Sequence, residues 1–142
     1  MKSKSLDINV IISFLAPREA YRPIIISPRE IFCSPHCETK IVEGSYKNIQ
    51  TPSGVYDIKT IIERLPQSQK PDLIVVKADA TGANFPINLK SISCPKLLIC
   101  GNTQHLSKPI QTLVEYATQE QFDFIMSDHK RHHLHYFKEA GF

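Results

Sequence analysis

A short apolar run in the middle of the chain constrains the fold more than any other feature. Residues 73–76 read Leu-Ile-Val-Val and are followed at once by the polar residues Lys77 and Asp79. The run is too short for a buried helix and lacks the alternation of a half-exposed strand, so it predicts a strand buried on both faces of a parallel sheet. Ligands of open α/β sheets bind beyond the carboxyl ends of such strands, so residues 77–82 are the first place to look for a site.

The same design recurs twice downstream. Residues 95–101 read Pro-Lys-Leu-Leu-Ile-Cys-Gly and precede a polar Asn-Thr-Gln-His, and residues 122–126 precede a Ser-Asp-His. Apolar residues recur at helical spacing in the segments 55–65 and 107–117. Alternating strands and helices with short connections predict an α/β fold, a single-domain Rossmann-like three-layer sandwich with a mostly parallel sheet.

The first third of the chain gives weaker signals. Residues 6–15 and 24–27 are apolar and rich in β-branched side chains, which predicts two strands. Residues 28–54 contain several Pro and Gly and show no helical period. They therefore predict an irregular, loop-rich insertion within the domain, in which residues 39–42 and 46–49 form short strands.

Helix boundaries follow from capping residues and from proline. Asp57 lies near the start of the predicted helix in residues 55–65, and Pro66 ends it. The apolar residues between 85 and 92 predict one or two irregular helical turns. Asp128 is a candidate N-cap of a last helix that ends at Gly141 as its C′ residue.

Length, charge and hydropathy exclude several classes of protein. With 142 residues of ordinary globular composition, the chain is long enough for one domain with a real core and too short for two. It contains no apolar run of about 18 residues and no recognisable secretion signal, so we expect no membrane span and a cytoplasmic protein. The net charge is +3 and the basic residues are scattered, which favours a solvated surface over nucleic-acid binding.

The four cysteines are expected to be reduced thiols. Cys33, His36 and Cys37 are three potential zinc ligands close together, but no second ligand pair follows at a finger-like distance, so we predict no structural metal. Cys94 and Cys100 flank or lie in a predicted buried strand, where cysteine acts as a small hydrophobic residue.

Polar residues that follow the three apolar strands form the candidate site. Asp79 and His105 are candidate catalytic bases, because a carboxylate or an imidazole can take a proton near neutral pH. A turn-forming aspartate and a surface histidine are the alternatives. The candidate substrate-binding residues are Lys77, Thr81, Asn102, Asp128 and His129. Because the carboxyl ends of parallel strands share one edge of a sheet, we expect these residues to line one rim of the sheet.

The histidine-rich segment 128–135 resembles a metal site at first sight. His129 and His133 are four positions apart and so share a helix face, but Lys130 and Arg131 lie between them and repel a cation. We interpret the segment as a solvated basic helix start, or alternatively as a place where an anion such as phosphate approaches. The chain has no Gly-rich phosphate loop, which argues against a classical dinucleotide site or an NTPase.

Three segments resemble a known family. Residues 70–76 (KPDLIVV), 94–105 (CPKLLICGNTQH) and 122–142, which begin FDFIMSD and end HYFKEAGF, resemble the amino-terminal domain of GT-B glycosyltransferases, with the spore-maturation-protein-like group as the nearest match. The resemblance covers residues 70–142 and is carried mainly by hydrophobic patterns. It implies that residues 1–142 form the Rossmann-like acceptor side of a two-domain enzyme, either truncated or a stand-alone half, whose donor-binding domain is absent from this chain.

The resemblance also implies a reaction and partners. A sugar would pass from a nucleotide-sugar to an acceptor in the cleft between the two domains, without a metal or another cofactor. The partners would be the sugar acceptor and the carboxyl-terminal donor-binding domain, and His105 or Asp79 would deprotonate the acceptor hydroxyl. This domain alone is expected to be inactive, because the donor site lies in the other half.

Two non-catalytic interpretations stay open. The first is a stand-alone α/β module that senses a small ligand, although Leu15-Ala16-Pro17 after the first strand argues against the acidic phosphoacceptor site of a receiver domain. The second is a protein-interaction domain that uses residues 28–54. The coding sequence after Phe142 distinguishes both from a glycosyltransferase half.

Overall fold

The computed structural model describes five segments of the chain, residues 7–15, 29–78, 82–101, 109–127 and 133–142. Within these segments the chain forms nine strands and three α-helices. The strands are β1 (Asn9–Ser13), β2 (Arg29–Ser34), β3 (Lys40–Val42), β4 (Ser45–Gln50), β5 (Gly54–Asp57), β6 (Leu73–Ala78), β7 (Asn84–Ile87), β8 (Lys96–Cys100) and β9 (Phe124–Ser127). The helices are α1 (Ile58–Arg64), α2 (Pro109–Glu120) and α3 (His133–Glu139).

Seven strands form the main sheet, in the order β3-β4-β2-β1-β6-β8-β9. All neighbouring strands in this sheet are parallel except the β3–β4 pair. If the six parallel strands are numbered along the chain, they follow the order 3-2-1-4-5-6 of the doubly wound fold. The predicted single-domain, Rossmann-like α/β fold with a mostly parallel sheet is therefore confirmed.

The central strand β6 contains the apolar run that the sequence singled out. It pairs in parallel with β1 on one side and with β8 on the other. The side chains of Ile74 and Val76 are buried on one face of the sheet, and that of Val75 is buried on the other. The predicted strand with two buried faces is therefore present, and it extends to Ala78.

The three α-helices pack on one face of the sheet, which we call the helix face. Ile58 of α1, Leu113 of α2 and Phe137 of α3 join strand side chains there in one large apolar cluster. Burying a side chain of this size stabilises a fold by about 1.5–3 kcal/mol. A second, smaller cluster on the opposite face consists of Val10, Ile12, Phe32, Cys37, Val75, Leu97 and Ile99.

The segment 28–54 is more regular than the sequence suggested. It supplies the strands β2, β3 and β4, which together form one side of the main sheet. The two short strands predicted around residues 39–42 and 46–49 correspond to β3 and β4, whereas β2 had no separate prediction. The strand β2 is stabilised by pairing with β1 and β4, which are distant in sequence. Its own short segment therefore carries little pattern that would predict a strand.

The predicted helix in residues 55–65 begins later than expected. Val55 lies in β5 with 65% of its surface exposed. The prediction that this residue lies on the buried side of the helix was therefore wrong. The helix begins at Ile58, where the carboxylate of the N-cap Asp57 accepts a hydrogen bond of 2.9 Å from the Lys59 N–H. Val55 fits the apolar spacing of the helix only by coincidence, because it belongs to β5, which pairs in parallel with β7.

The segment between residues 85 and 92 also differs from its prediction. Its first half is the strand β7, and only Leu89–Ser91 forms a single 3-10 turn. Residues 6–15 contain the shorter strand β1. The predicted strand in residues 24–27 and the predicted N-cap Asp128 lie outside the described residues.

Two helices end in the same backbone motif. At the end of α3 the Phe142 N–H donates to the Phe137 carbonyl at 3.1 Å, and Gly141 has a positive φ of 103°, as its predicted C′ role requires. At the end of α2 the Phe122 N–H donates to the Ala117 carbonyl at 3.1 Å, and Gln121 takes the positive φ, at 58°. No helix in the described segments is long and apolar enough to cross a membrane.

Candidate functional site at the switch point of the sheet

The order in which the chain adds strands to the sheet reverses between β1 and β6. From β1 it proceeds to β2 and β4 on one side, and from β6 it proceeds to β8 and β9 on the other. The carboxyl ends of β1 and β6 therefore flank a topological switch point, where open α/β sheets bind their ligands. These ends carry Ser13 and Phe14 on one side and Lys77 and Ala78 on the other.

A chain of buried hydrogen bonds lies on the helix face of the switch point. The Ser13 Oγ lies 2.6 Å from the Tyr56 hydroxyl oxygen and donates to the Asn84 Oδ1 at 3.1 Å. The Asn84 Nδ2 donates to the Lys77 carbonyl at 2.9 Å. The side chains of Ser13, Tyr56 and Asn84 are all buried. Together these bonds join the ends of β1 and β6 through β5 and β7.

The direction of each hydrogen bond follows from the available protons. Because the single hydroxyl proton of Ser13 is donated to Asn84, the Tyr56 hydroxyl must be the donor in its bond to Ser13. Burial raises the pKa of Tyr56 well above its usual range, with a smaller contribution from the nearby Cys33. Tyr56 is therefore a permanent donor and cannot act as a base. The chain of bonds fixes the strand ends.

Two of the three buried side chains, those of Tyr56 and Asn84, belong to the small sheet formed by β5 and β7. The two strands run parallel, with Gly54 opposite Asn84 and Tyr56 opposite Pro86. The Gly54 N–H donates to the Ala83 carbonyl at 2.7 Å. Gly54 has a positive φ of 90°, which favours glycine, so it sets the path by which β5 enters the pair.

A charged residue and an aromatic ring lie together on the opposite face of the switch point. The Lys77 Nζ lies 4.8 Å from the centroid of the Phe14 ring, a distance typical of a cation–π contact. Phe14 also packs edge-on against Phe32, with ring centroids 6.4 Å apart. Lys77 and Phe14 are only partly buried, so both side chains reach the surface at this end of the sheet.

Further polar side chains follow the carboxyl ends of β2 and β4. The buried Ser34 Oγ donates to the Leu15 carbonyl at 3.1 Å, and it accepts from the His36 N–H at 3.1 Å. The Thr51 N–H donates to the Ser34 carbonyl at 3.1 Å. The Oγ1 of Thr51 is buried and has no hydrogen-bond partner among the described residues. These bonds tie the residues after β1 to the neighbouring strand end.

The structure separates the potential zinc ligands of residues 33–37. Cys33 belongs to the apolar cluster on the helix face, whereas Cys37 belongs to the cluster on the opposite face. Burial, together with the neighbouring Cys37, raises the pKa of Cys33 to about 12, so this thiol stays protonated. Within the described part of the chain, no group of three His, Cys, Asp or Glu side chains is placed to hold a metal ion.

Of the seven residues predicted for the site, Lys77 is the one that the structure describes. The other six, Asp79, Thr81, Asn102, His105, Asp128 and His129, lie outside the described residues. The last described residues before them are Ala78, Gly101 and Ser127, which lie at or next to the carboxyl ends of β6, β8 and β9. The structure therefore places Lys77 at the switch point and leaves the convergence of the other six a prediction.

Ser13, Tyr56 and Asn84 were not predicted as site residues from the sequence. One local signal was present, because Ser13 is a polar residue at the end of a buried apolar run. Tyr56 and Asn84 fell in segments that were expected to be helical. Ser13 is 43 positions from Tyr56 and 71 from Asn84, so only the fold brings them together.

Comparisons with known proteins give no further assignment. Neither a scan against protein-family models nor searches of curated proteins and of solved structures found a match to this chain.

Proposed function

We propose that this chain is the acceptor-side half of a GT-B glycosyltransferase, which binds a sugar acceptor at the switch point between β1 and β6. The observation that carries the proposal is the contact between Lys77 and Phe14 at this position. Ligand sites combine apolar and aromatic walls with a few polar groups that fix orientation. An aromatic ring face suits the apolar face of a sugar ring, and an ammonium group donates to sugar hydroxyls or to an anionic substituent.

The buried hydrogen-bond chain supports this role by holding the site in place. The Asn84 amide bonds the backbone carbonyl of Lys77, and Ser13 directly precedes Phe14. The two side chains that face the ligand therefore project from strand ends that are tied to each other. Such support is what a binding site needs to keep its geometry.

The proposed chemistry is a displacement at the anomeric carbon of a nucleotide-sugar. His105 or Asp79 takes the proton of the acceptor hydroxyl, and the acceptor oxygen forms a bond to the anomeric carbon. The bond between that carbon and the phosphate oxygen breaks, and the nucleoside diphosphate leaves with the electron pair. The roles of His105 and Asp79 rest on the sequence alone, and a carboxyl-terminal domain supplies the donor.

The coding sequence after the Phe142 codon tests this proposal. We expect it to encode a second α/β half, and the whole product should release nucleoside diphosphate from a nucleotide-sugar when an acceptor is present. Residues 1–142 alone should release none under the same conditions. A stop codon directly after Phe142 would refute the two-domain enzyme and favour the alternative, a stand-alone module that binds a ligand or a protein without catalysis.

A further inference from the structure

Two buried side chains of helix α2 bond to the backbone of β7 and of the turn that follows it. The Tyr116 hydroxyl donates to the Pro86 carbonyl at 2.5 Å, and the Tyr116 ring packs edge-on against Phe85, with centroids 4.9 Å apart. A carboxylate oxygen of Glu120 accepts from the Leu89 N–H at 2.8 Å. Tyr116 and Glu120 are four positions apart, so they lie on the same side of the helix. The helix therefore holds β7 at two points.

The bond from Tyr116 to Pro86 has a fixed direction. Burial raises the pKa of Tyr116 well above its usual range, and the nearby Glu120 and Tyr56 raise it further, so the hydroxyl keeps its proton and donates. Because Pro86 has no N–H, its carbonyl is the backbone group with which this residue can form a hydrogen bond. Apolar contacts have no preferred direction. The two hydrogen bonds from α2 therefore define the position of β7 along the helix more sharply than the packing around them.

The second bond lies where the backbone turns after β7. Asn88 has a positive φ of 69°, a left-handed conformation that is costly for a residue other than glycine, although asparagine tolerates it better than most. The next residue, Leu89, is buried and begins the 3-10 turn. Its N–H is the group that bonds to Glu120. The carboxylate therefore holds the chain directly after this strained position.

The small sheet depends on such contacts because it is weak on its own. It has two strands of four residues each, and an isolated pair of short strands is not stable in water. On one face of β7, Asn84 bonds Ser13 and the Lys77 carbonyl. On the other face, Phe85 meets the Tyr116 ring, as expected because successive side chains of a strand point to opposite faces. The strand β7 therefore lies between α2 and the switch point.

We propose that Tyr116 and Glu120 are positioning residues of the switch-point site. They hold β7 from the side of α2, and β7 carries Asn84, which joins the ends of β1 and β6. The two residues act on the site through Asn84. Their effect on acceptor binding rests on the proposed function, whereas their effect on the position of Asn84 does not.

Hydrogen exchange and side-chain amide signals of the ¹⁵N-labelled chain test this coupling. Tyr116→Phe keeps the ring and removes the hydrogen bond to β7. We expect the Asn84 side-chain signals to shift and the Gly54 amide, which donates to the residue before β7, to exchange about fivefold to tenfold faster, as expected for one lost hydrogen bond. The matched control is Leu97→Ala, which destabilises the cluster on the opposite face and should change neither signal. Equal changes in both variants, or none in Tyr116→Phe, would overturn the proposal.

Two substitutions of Glu120 test the second bond. Glu120→Gln keeps a side-chain oxygen that can accept from the Leu89 N–H, so the Asn84 signals and the Gly54 exchange rate should match those of the parent. Glu120→Ala removes the acceptor and should reproduce the changes expected for Tyr116→Phe. If the Gln variant changes these signals as much as the Ala variant does, this hydrogen bond does not hold β7.

Sugar binding separates positioning from a general loss of stability. The probes are glucose, galactose and N-acetylglucosamine, each added to the 142-residue chain. For a sugar that the parent binds, Tyr116→Phe and Glu120→Ala should weaken the affinity about threefold to tenfold, whereas Glu120→Gln and Leu97→Ala should bind like the parent. Equal affinity in all four variants would show that these residues do not position the site. A parent that binds none of the sugars would instead refute the proposed function, and the exchange rates would still decide whether α2 positions Asn84.

Discussion

The hydroxyl oxygen of Tyr56 lies 2.6 Å from the Ser13 Oγ, in the interior of the protein and at the switch point between β1 and β6. This contact joins the small sheet of β5 and β7 to the end of β1. Through Asn84 it continues to the carbonyl of Lys77 in β6. The positions of the candidate ligand-binding side chains therefore depend on the buried residues Ser13, Tyr56 and Asn84.

The members of this hydrogen-bond chain should differ in their contributions to stability. Tyr56→Phe removes one neutral hydrogen bond and leaves the Ser13 proton bonded to Asn84, so we expect a loss of about 1 kcal/mol. Asn84→Ala leaves both the Ser13 hydroxyl and the Lys77 carbonyl without this partner and opens a cavity, so we expect a loss of about 2–4 kcal/mol. Equilibrium urea unfolding measures both values. Tyr136→Phe, at a residue 48% exposed, is the control and should be neutral. The account fails if Tyr56→Phe costs as much as Asn84→Ala.

The buried thiol of Cys33 should make the protein sensitive to alkali. Burial raises its pKa from 9.0 to about 12, so the unfolded chain releases this proton at a lower pH than the folded one. The resulting stability is fully present below pH 9 and is lost as the pH rises toward 12, with a slope of up to about 1.4 kcal/mol per pH unit. Cys33→Ala should reduce the slope of the unfolding free energy between these values by up to one proton. An unchanged slope would show that Cys33 ionises equally in both states.

The buried hydroxyl of Thr51, which has no hydrogen-bond partner among the described residues, should cost stability. A buried hydroxyl that lacks a hydrogen bond is less stable than a methyl group of the same shape, so we expect Thr51→Val to stabilise the protein by about 1 kcal/mol. Thr51→Ser keeps the hydroxyl and loses the methyl group, so it should destabilise. Thermal unfolding of both variants checks the pair. A Val variant less stable than the Ser variant would mean that the hydroxyl holds a partner.

The carboxyl end of α2 has a residue that is poorly suited to its conformation. Gln121 has a φ of 58°, a left-handed conformation that costs a non-glycine residue roughly 1–2 kcal/mol. Gln121→Gly should therefore stabilise the helix end by about 1 kcal/mol and raise Tm by about 2–4 °C. The mirror experiment is Gly141→Ala at the end of α3, which should lower Tm by a similar amount. A lower Tm for Gln121→Gly would contradict this interpretation of the helix end.

The parts of the fold that the sequence predicted are those with strong local patterns. A few consecutive residues are enough to predict that β6 and β8 are buried strands, because each is a short apolar run. The same holds for α2, whose apolar residues recur at helical spacing. Strands β2, β5 and β7 depend on partners distant in sequence, and their short segments carry ambiguous patterns. Val55 and Tyr56 illustrate this, because their apolar spacing fits a helix while their backbone pairs with β7.

The candidate site was predicted only in its general position. The rule that ligands bind at the carboxyl ends of parallel strands led to Lys77, and the strand order then placed this residue at the switch point. Ser13 and Asn84 could not be found in this way, because their role arises from a contact across 71 positions. Phe14 likewise gained its role only when β1 was placed next to β6.

Backbone amide shifts give the most direct test of the switch-point site. The 142-residue chain, labelled with ¹⁵N, is titrated separately with glucose, galactose, N-acetylglucosamine and UDP-glucose. We expect at least one of the free sugars to shift the amides of Phe14, Lys77, Ala78 and Gly82 in a saturable way. Lys77→Met should weaken that binding about tenfold, as expected for a lost hydrogen bond from a charged group, whereas Lys138→Met on α3 should not change it. Sugar shifts that map elsewhere, no shift with any free sugar, or tighter binding of UDP-glucose at these amides would contradict an acceptor site at the switch point.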